Sequence, residues 1–267
     1  MYYWKIDNIS GTDVISRGIK TIENPLEKYL SDFLHASIMK ILVFSDIHGN
    51  LEALNAMLSE AKFDKAVFLG DIVDYGPDPG ETMDIVFKEA DYIVQGNHDY
   101  AAGTGEDCNC APAMHDLSVL TRNEITTKML GKNDLRKLAE LNRKIEFEID
   151  GKKFFTVHAS PNDPLFGYMF STEAEMAWKK QELKRYDYIM VGHTHFPMFY
   201  RSRIINPGSC GQPRDGNWKP MYAMLDTDSG ELTFKRFSYD NEKMLSKLES
   251  RLPEYQNEFK QLRELYI

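Results

Sequence analysis

Long uncharged hydrophobic runs are missing from this sequence of 267 residues. None approaches the roughly 18–20 apolar residues that a membrane span requires. The opening residues also lack the basic-then-apolar layout of a signal peptide, because Lys5, Asp7, Asp13 and Arg17 interrupt them. Cysteine is scarce. Three in the whole chain, an odd number, argue against a disulfide framework and fit a reducing compartment. Basic charge is short as well, with 32 Lys and Arg against 41 Asp and Glu and a formal net charge of −9. Proteins that hold nucleic acid by its phosphates show the opposite balance, so a nuclease or nucleic-acid binder is not expected. Internal repeats, low-complexity tracts and linkers are lacking too. What remains is an acidic chain, 42% hydrophobic, of a length that buries one substantial core. The expected location is the cytoplasm, with no membrane partner.

Residues 1–38 are polar, weakly periodic and broken by Gly11, Gly18 and Pro25. They read as an N-terminal extension, either an appended segment ahead of a natural start at Met39 or a short helix-plus-strand element packed on the domain. From Met39 the text changes. Met39–Phe44 is an apolar run typical of a buried strand, followed by a helix capped by Asn50 with Leu51, Leu54 and Leu58 on one face. Strand Lys65–Leu69, helix Glu81–Glu89 and strand Asp91–Gln95 continue a βαβ pattern, the signature of an α/β sheet. Met114–Arg143 reads mostly as helix, within a cap-like insertion over about 101–144. The second half is richer in strands: Ile145–Ile149, Phe154–Val157, Tyr188–Val191, Met198–Tyr200, Arg203–Ile205, Met221–Leu225 and Leu232–Phe237. One domain spans 39–240. An amphipathic C-terminal helix follows over 241–267, with a kink expected at Pro253, and it either packs on the domain or serves as an interface in a homo-oligomer.

Polar residues collect where the strands end. The series is Ser45-Asp46-Ile47-His48-Gly49-Asn50, Gly70-Asp71-Ile72-Val73-Asp74, Gly96-Asn97-His98-Asp99, His158, and Gly192-His193-Thr194-His195. Strand ends and the loops beyond them form the ligand crevice of an α/β sheet, and five of the seven histidines fall there. A lone histidine is usually a satisfied surface or core residue, and an Asp after a strand is usually a helix cap. Five strand ends each delivering Asp, Asn or His exceed that expectation. Imidazoles and carboxylates without thiolates suit Mn, Fe, Zn, Ni or Co. There are too many donors for one tetrahedral ion, so the pattern points to a pair of divalent metals bridged by a carboxylate and a hydroxide. In-line attack of that hydroxide hydrolyses a phosphoester.

These motifs resemble the calcineurin-like metallophosphoesterase superfamily, whose series is Asp-x-His, Gly-Asp-x-x-Asp, Gly-Asn-His-Asp/Glu, a His after a strand, and Gly-His-x-His. The segments Asp71–Pro77, His158-Ala159-Ser160-Pro161, Asn206-Pro207-Gly208-Ser209 and Gln212-Pro213-Arg214-Asp215 are further similar to a prokaryotic subgroup of small phosphodiesterases. The resemblance implies a four-layer α/β/β/α sandwich, two mixed sheets flanked by helices. It implies that Asp46, His48 and His195 bind one metal, that Asn97, His158 and His193 bind the other, and that Asp71 bridges both. Mn is the first expectation for the ions. His98 is implied as general acid, oriented by Asp74. The Arg-Gly that follows the second motif in protein phosphatases is replaced here by Tyr75-Gly76, which weakens a protein-phosphatase reading. Arg214 is the alternative cation, and Tyr75, Arg214 and Phe166 are the candidate substrate-binding residues, Phe166 by stacking on a base. The expected activity is hydrolysis of phosphodiester or phosphoanhydride bonds in small nucleotide-like substrates. The alternatives are a phosphomonoesterase, including a protein Ser/Thr phosphatase, and a non-catalytic metal- or phosphate-binding regulator. Cys108-Asn109-Cys110 is expected in an exposed loop, its thiols too close for an easy disulfide.

Overall fold

The computed structural model describes residues 39–267, so the N-terminal extension lies outside the described residues. Strand β1 (Lys40–Phe44) buries all but its first residue. Helix α1 (Leu51–Glu60) follows, and Asn50 caps it by accepting from the Ala53 amide at 3.0 Å. Next come β2 (Lys65–Phe68), α2 (Pro79–Glu89), which starts on a proline, and β3 (Tyr92–Ile93). Then follow α3 (Asn97–Thr104), α4 (Pro112–Thr121), a wider π-type turn at Arg122–Thr126, α5 (Thr127–Met129) and α6 (Lys132–Glu140). The second half runs β4 (Lys144–Ile149), β5 (Lys152–Val157), α7 (Ser171–Trp178), a 3₁₀ turn at Gln181–Arg185, β6 (Tyr188–Met190), β7 (Pro197–Tyr200), β8 (Ile204–Pro207), β9 (Met221–Asp226) and β10 (Leu232–Arg236). Helices α8 (Asn241–Arg251) and α9 (Gln256–Arg263) close the chain.

Two five-stranded mixed sheets result, in the orders β10-β9-β1-β2-β3 and β4-β5-β6-β8-β7. Strands β1, β2 and β3 are parallel, as are β5, β6 and β8, with antiparallel strands toward the edges. Ile41, Val43, Val67 and Leu69 of one sheet meet Phe154, Tyr188, Met190 and Ile205 of the other in a shared core. The opposite face of the first sheet packs on α1 and α2 through Leu42, Phe44, Leu54, Met57 and Met83. The outer face of the second packs on α7 and the 3₁₀ turn through Phe155, Ile189, Ala174 and Leu183. The fold is a four-layer α/β/β/α sandwich. Each fully buried leucine or phenylalanine here adds about 1.5–3 kcal/mol to stability.

The C-terminal segment differs from expectation in one respect. It is broken rather than kinked: α8 stops at Arg251 and α9 starts at Gln256, because Pro253 has no amide to continue the ladder. Both helices pack on the domain. Met244, Leu248, Leu252, Phe259, Leu262 and Tyr266 form a satellite core with Leu117, Ile125 and Tyr75.

Candidate active site

The carboxyl ends of β1 and β2 are stitched together by backbone. The Asp46 amide donates to Gly70 O at 3.0 Å, and the Ile47 and His48 amides both donate to Asp71 O at 3.0 and 3.1 Å. The Asp99 carboxylate, at the start of α3, ties in the third strand end by accepting from the amides of Asp71 (2.9 Å), Ile72 (2.8 Å) and Gly96 (3.0 Å). Around them Asp46, His48, Asp71, Asp74, Tyr75, His193 and His195 stand at positive φ, between 52° and 68°. Non-glycine residues rarely adopt that conformation, and it persists only where the surroundings over-determine it. Gly96 is required for another reason: a Cβ there would collide with the Asp71 carboxylate.

Two donor clusters share Asp71. Asp46, His48, Asp71 and His195 each place a ligand atom within 4.8 Å of the others, and so do Asp71, His158 and His193. Asn97 joins the second, its Oδ1 3.0 Å from His158 Nε2 and 3.2 Å from His193 Nδ1. All of these side chains are buried.

Their protonation follows from their neighbours. His48 Nδ1 faces Val73 O at 3.0 Å, His158 Nδ1 faces Leu69 O at 2.7 Å, and His195 Nδ1 faces Gln212 O. A carbonyl oxygen only accepts, so each Nδ1 carries a proton, and in the neutral ring Nε2 presents the lone pair. The Nε2 atoms of His48 and His195 then face each other at 3.3 Å, with Asp71 Oδ2 3.7 Å from the first and Asp46 Oδ1 3.4 Å from the second. Asn97 Nδ2 donates to Cys108 O at 2.7 Å, which turns Oδ1 inward. Asp46 Oδ1 and His193 Nε2 have no hydrogen-bond partner. Converging lone pairs and an orphaned buried carboxylate oxygen are what a cation resolves.

Without a cation the cluster takes up protons instead. Burial and the Asp71 carboxylate push Asp46 up to about 7. Burial alone would lower His158, but Asp71 carries it up to about 9. Asp71 itself is held well below the usual carboxylate range despite its burial, chiefly by His158 and His98. Burial keeps His48 neutral, at about 3, and pushes His193 and His195 down as well. The donor set therefore fits metal binding: imidazoles and carboxylates at which a cation would replace the protons held by His158 and Asp46, with Asp71 common to both clusters.

His98 stands beside this centre at the head of α3. Its Nδ1 is 2.9 Å from Asp74 Oδ2 and 3.3 Å from Ser118 Oγ. Arg122 was not anticipated from the sequence. Its Nε and Nη2 donate to Asp74 Oδ2 at 2.9 and 2.6 Å, and Nη2 also reaches Ser118 Oγ at 2.9 Å. Thr126 Oγ1 donates to Asp74 Oδ1 at 3.0 Å. The π-type turn, a frequent companion of functional sites, thus braces Asp74 from behind. Removing one partner of such a buried pair costs about 3–5 kcal/mol. Arg122→Met is expected to lower the unfolding free energy by that amount in urea titration, whereas an unshifted midpoint would show that Asp74 needs only Thr126 and His98.

The candidate substrate-binding residues fall differently from expectation. Tyr75 is fully buried, edge-on to His48 at 4.9 Å, with its hydroxyl 3.3 Å from Met114 O, so it is wall rather than contact surface. Arg214 is partly exposed, its guanidinium 5.9 Å from the Tyr75 ring centroid and its Nη2 2.7 Å from Gln212 Oε1. Phe166 packs edge-on against Tyr100 at 6.1 Å. Tyr168 is the ring nearest the donors, 4.5 Å from His193, and it lies parallel to Phe170, which meets Phe196. The turn of 160–167 decides this, since the Phe166 and Gly167 amides both bind Asp163. Cys108 is buried rather than exposed, and Cys110 is partly buried. Their loop lies under α4, where Cys108 Sγ meets Ser118 Oγ at 3.4 Å.

This fold and this donor set define a metallophosphoesterase, a hydrolase. Residues 39–230 match the calcineurin-like phosphoesterase superfamily domain, and the chain belongs to that family. It is 34% identical over 241 residues to an uncharacterized protein of Methanocaldococcus jannaschii, covering 82% of this chain and 96% of that one. It is 27% identical over 198 residues to the phosphodiesterase YfcE of Escherichia coli, covering 72% and 89% of the two chains. The crystal structure of a metallophosphoesterase from Sphaerobacter thermophilus superposes with a TM-score of 0.69 at 30% identity, over 86% of this chain and 100% of that one. Among the described residues no helix is long and apolar enough to cross a membrane.

Proposed function

We propose that this chain is a cytoplasmic, two-cation phosphodiesterase that hydrolyses diester or phosphoanhydride bonds of small nucleotide-like substrates. The observation that carries the reading is the convergence of carboxylate, amide and imidazole ligand atoms on both sides of Asp71. Asp46, His48 and His195 hold one ion, Asn97, His158 and His193 the other, and Asp71 is common to both, with Mn²⁺ the first choice. Bound there, divalent cations supply Lewis-acid activation of the phosphoryl group and a water of lowered pKa. His98 gives its Nε2 proton to the leaving oxygen, because Nδ1 is occupied by Asp74 and Ser118. Residues 39–240 form the catalytic domain, and the 101–144 insertion braces the acid from behind. The absence of an Arg after Asp74, and the similarity to a phosphodiesterase, favour diesters over phosphoprotein.

The test is Mn²⁺-dependent hydrolysis of bis(p-nitrophenyl) phosphate beside p-nitrophenyl phosphate. Faster diester cleavage is expected. Monoester preference would make the protein a phosphatase, and no turnover at full metal content would make it a binding protein. Arg214 supplies positive charge to the substrate, and Tyr168 with Phe170 and Phe196 offers an aromatic face to a nucleobase. Tyr168→Ala is expected to raise KM for a dinucleotide about tenfold, within the roughly 1–3 kcal/mol of a base–aromatic stack. KM for methyl p-nitrophenyl phosphate should move much less, and equal changes for both would remove the stacking role.

A further inference from the structure

Two thiols beside His98 have no task in that reaction. Cys108 and Cys110 lie in the loop between α3 and α4, with their Sγ atoms 2.9 Å apart. The loop is anchored, since Asn97 Nδ2 holds Cys108 O at 2.7 Å and the Asn109 amide donates to Asp107 Oδ1 at 2.7 Å. Ser118 Oγ is 3.4 Å from Cys108 Sγ and 3.3 Å from His98 Nδ1, so one hydroxyl spans the gap between thiol and ring nitrogen. His98, Cys108 and Cys110 each offer a ligand atom within 4.8 Å of the others. Neither sulfur belongs to the oxygen-and-imidazole clusters around Asp71. The third cysteine, Cys210, is sealed elsewhere against Met57 Sδ at 3.5 Å.

We propose that Cys108, Cys110 and His98 form a separate cation site for thiophilic ions such as Zn²⁺, Cd²⁺ or Cu⁺, and that filling it stops catalysis. Thiolate–imidazole donor sets select soft ions, while Mn²⁺ prefers oxygen. Two sulfurs on a tetrahedral ion with bonds of about 2.3 Å sit roughly 3.8 Å apart, an opening that the partly exposed Cys110 can provide. Loading releases both thiol protons to water, together with the proton on His98 Nδ1, whose place the cation takes. The Nδ1 bond to Asp74 is lost in the exchange. A ring with a cation on Nδ1 cannot become imidazolium, so it no longer delivers a proton to a basic leaving group. Hard ions at one place then run the enzyme, and soft ions a few ångströms away arrest it.

The test is Co²⁺ titration of the reduced protein, read as sulfur-to-cobalt charge-transfer absorption in the near ultraviolet. The clusters around Asp71 contain no sulfur and are silent in that band. Wild type is expected to show it, and Cys110→Ala and Cys110→Ser to lose or strongly weaken it. A silent wild type, or an unchanged band in Cys110→Ala, would overturn the site. In a second arm, Zn²⁺ is added to Mn²⁺-loaded enzyme hydrolysing a diester with an alkyl leaving group. Wild type should lose roughly 10²-fold in rate, the low end of what a general acid contributes, while Cys110→Ala stays active at the wild-type Mn²⁺ level. Equal inhibition of both would place Zn²⁺ in the Asp71 clusters and overturn the regulatory half. The spectroscopic arm does not depend on His98 being the acid, so it stands or falls separately from the proposed activity.

Discussion

Asp71→Asn is expected to abolish phosphodiester hydrolysis and to leave the metal-free protein less stable than wild type near neutral pH. The two effects have one origin. Asp71 supplies the only carboxylate common to both donor clusters among the described residues, so its loss weakens two ion positions at once. A Lewis-acid centre contributes several kcal/mol to the barrier, and each ~1.4 kcal/mol is tenfold, so kcat/KM should fall about 10³-fold or more. In the metal-free protein the same carboxylate stabilises the fold near neutral pH, because, against its burial, His158 and His98 hold its pKa well below the usual range, and that contribution is lost as pH falls through the folded-state pKa. Its repulsion of Asp46 and Asp99, which pushes both carboxyls upward, offsets only part of that. Asparagine removes that charge and tolerates the left-handed backbone, φ 64°, that position 71 demands. Thermal melts with and without Mn²⁺, beside metal analysis, give the answer. The rise in Tm on adding metal should be present in wild type and largely absent in the variant. A variant that keeps both ions and a tenth of its activity would refute the shared-ligand reading.

His98→Ala carries the second large effect, and its size should depend on the substrate. A positioned general acid is worth about 10²–10⁴-fold, but only insofar as the leaving oxygen needs a proton. Burial would by itself lower the His98 pKa. The Asp71 carboxylate and the Asp74 hydrogen bond outweigh it and raise the net value, so the ring keeps a proton to give. Loss should therefore be small for a p-nitrophenolate leaving group and large for an alkoxide such as a ribose hydroxyl. A plot of log(kcat/KM) against leaving-group pKa should steepen in the variant. Parallel lines for the two proteins would mean that His98 positions substrate and donates nothing.

The sandwich and its donors were legible in the sequence for a local reason. Each strand runs straight into its polar residues, as Phe44 does into Asp46 or Val191 into His193, so alternation of buried strand and Gly-flanked loop marks both the element and the crevice at its end. The brace behind Asp74 was not legible. Arg122 and Asp74 are 48 residues apart, and nothing in the helical text of 112–126 distinguishes an inward arginine from a solvated one. The burial of Cys108 escaped notice for the same reason. Its loop is acidic and Gly-rich, and only the docking of α4 over it encloses the thiol. The exchange of Phe166 for Tyr168 as the ring beside His193 turns on the hydrogen bonds of one Asp163 turn, a detail beneath the resolution of composition or periodicity.

The seven left-handed residues around the crevice set a conflict between durability and turnover. Each strained residue costs roughly 1–3 kcal/mol, a sum comparable to the whole stability margin of an ordinary domain. Glycine would relieve that strain at any of them, yet five of the seven (Asp46, His48, Asp71, His193 and His195) carry the donor atoms of the two clusters. Selection for heat resistance alone would drift toward a sturdier and inert protein by changing these positions. The loops that make the catalyst are also where the fold has most to gain by losing it.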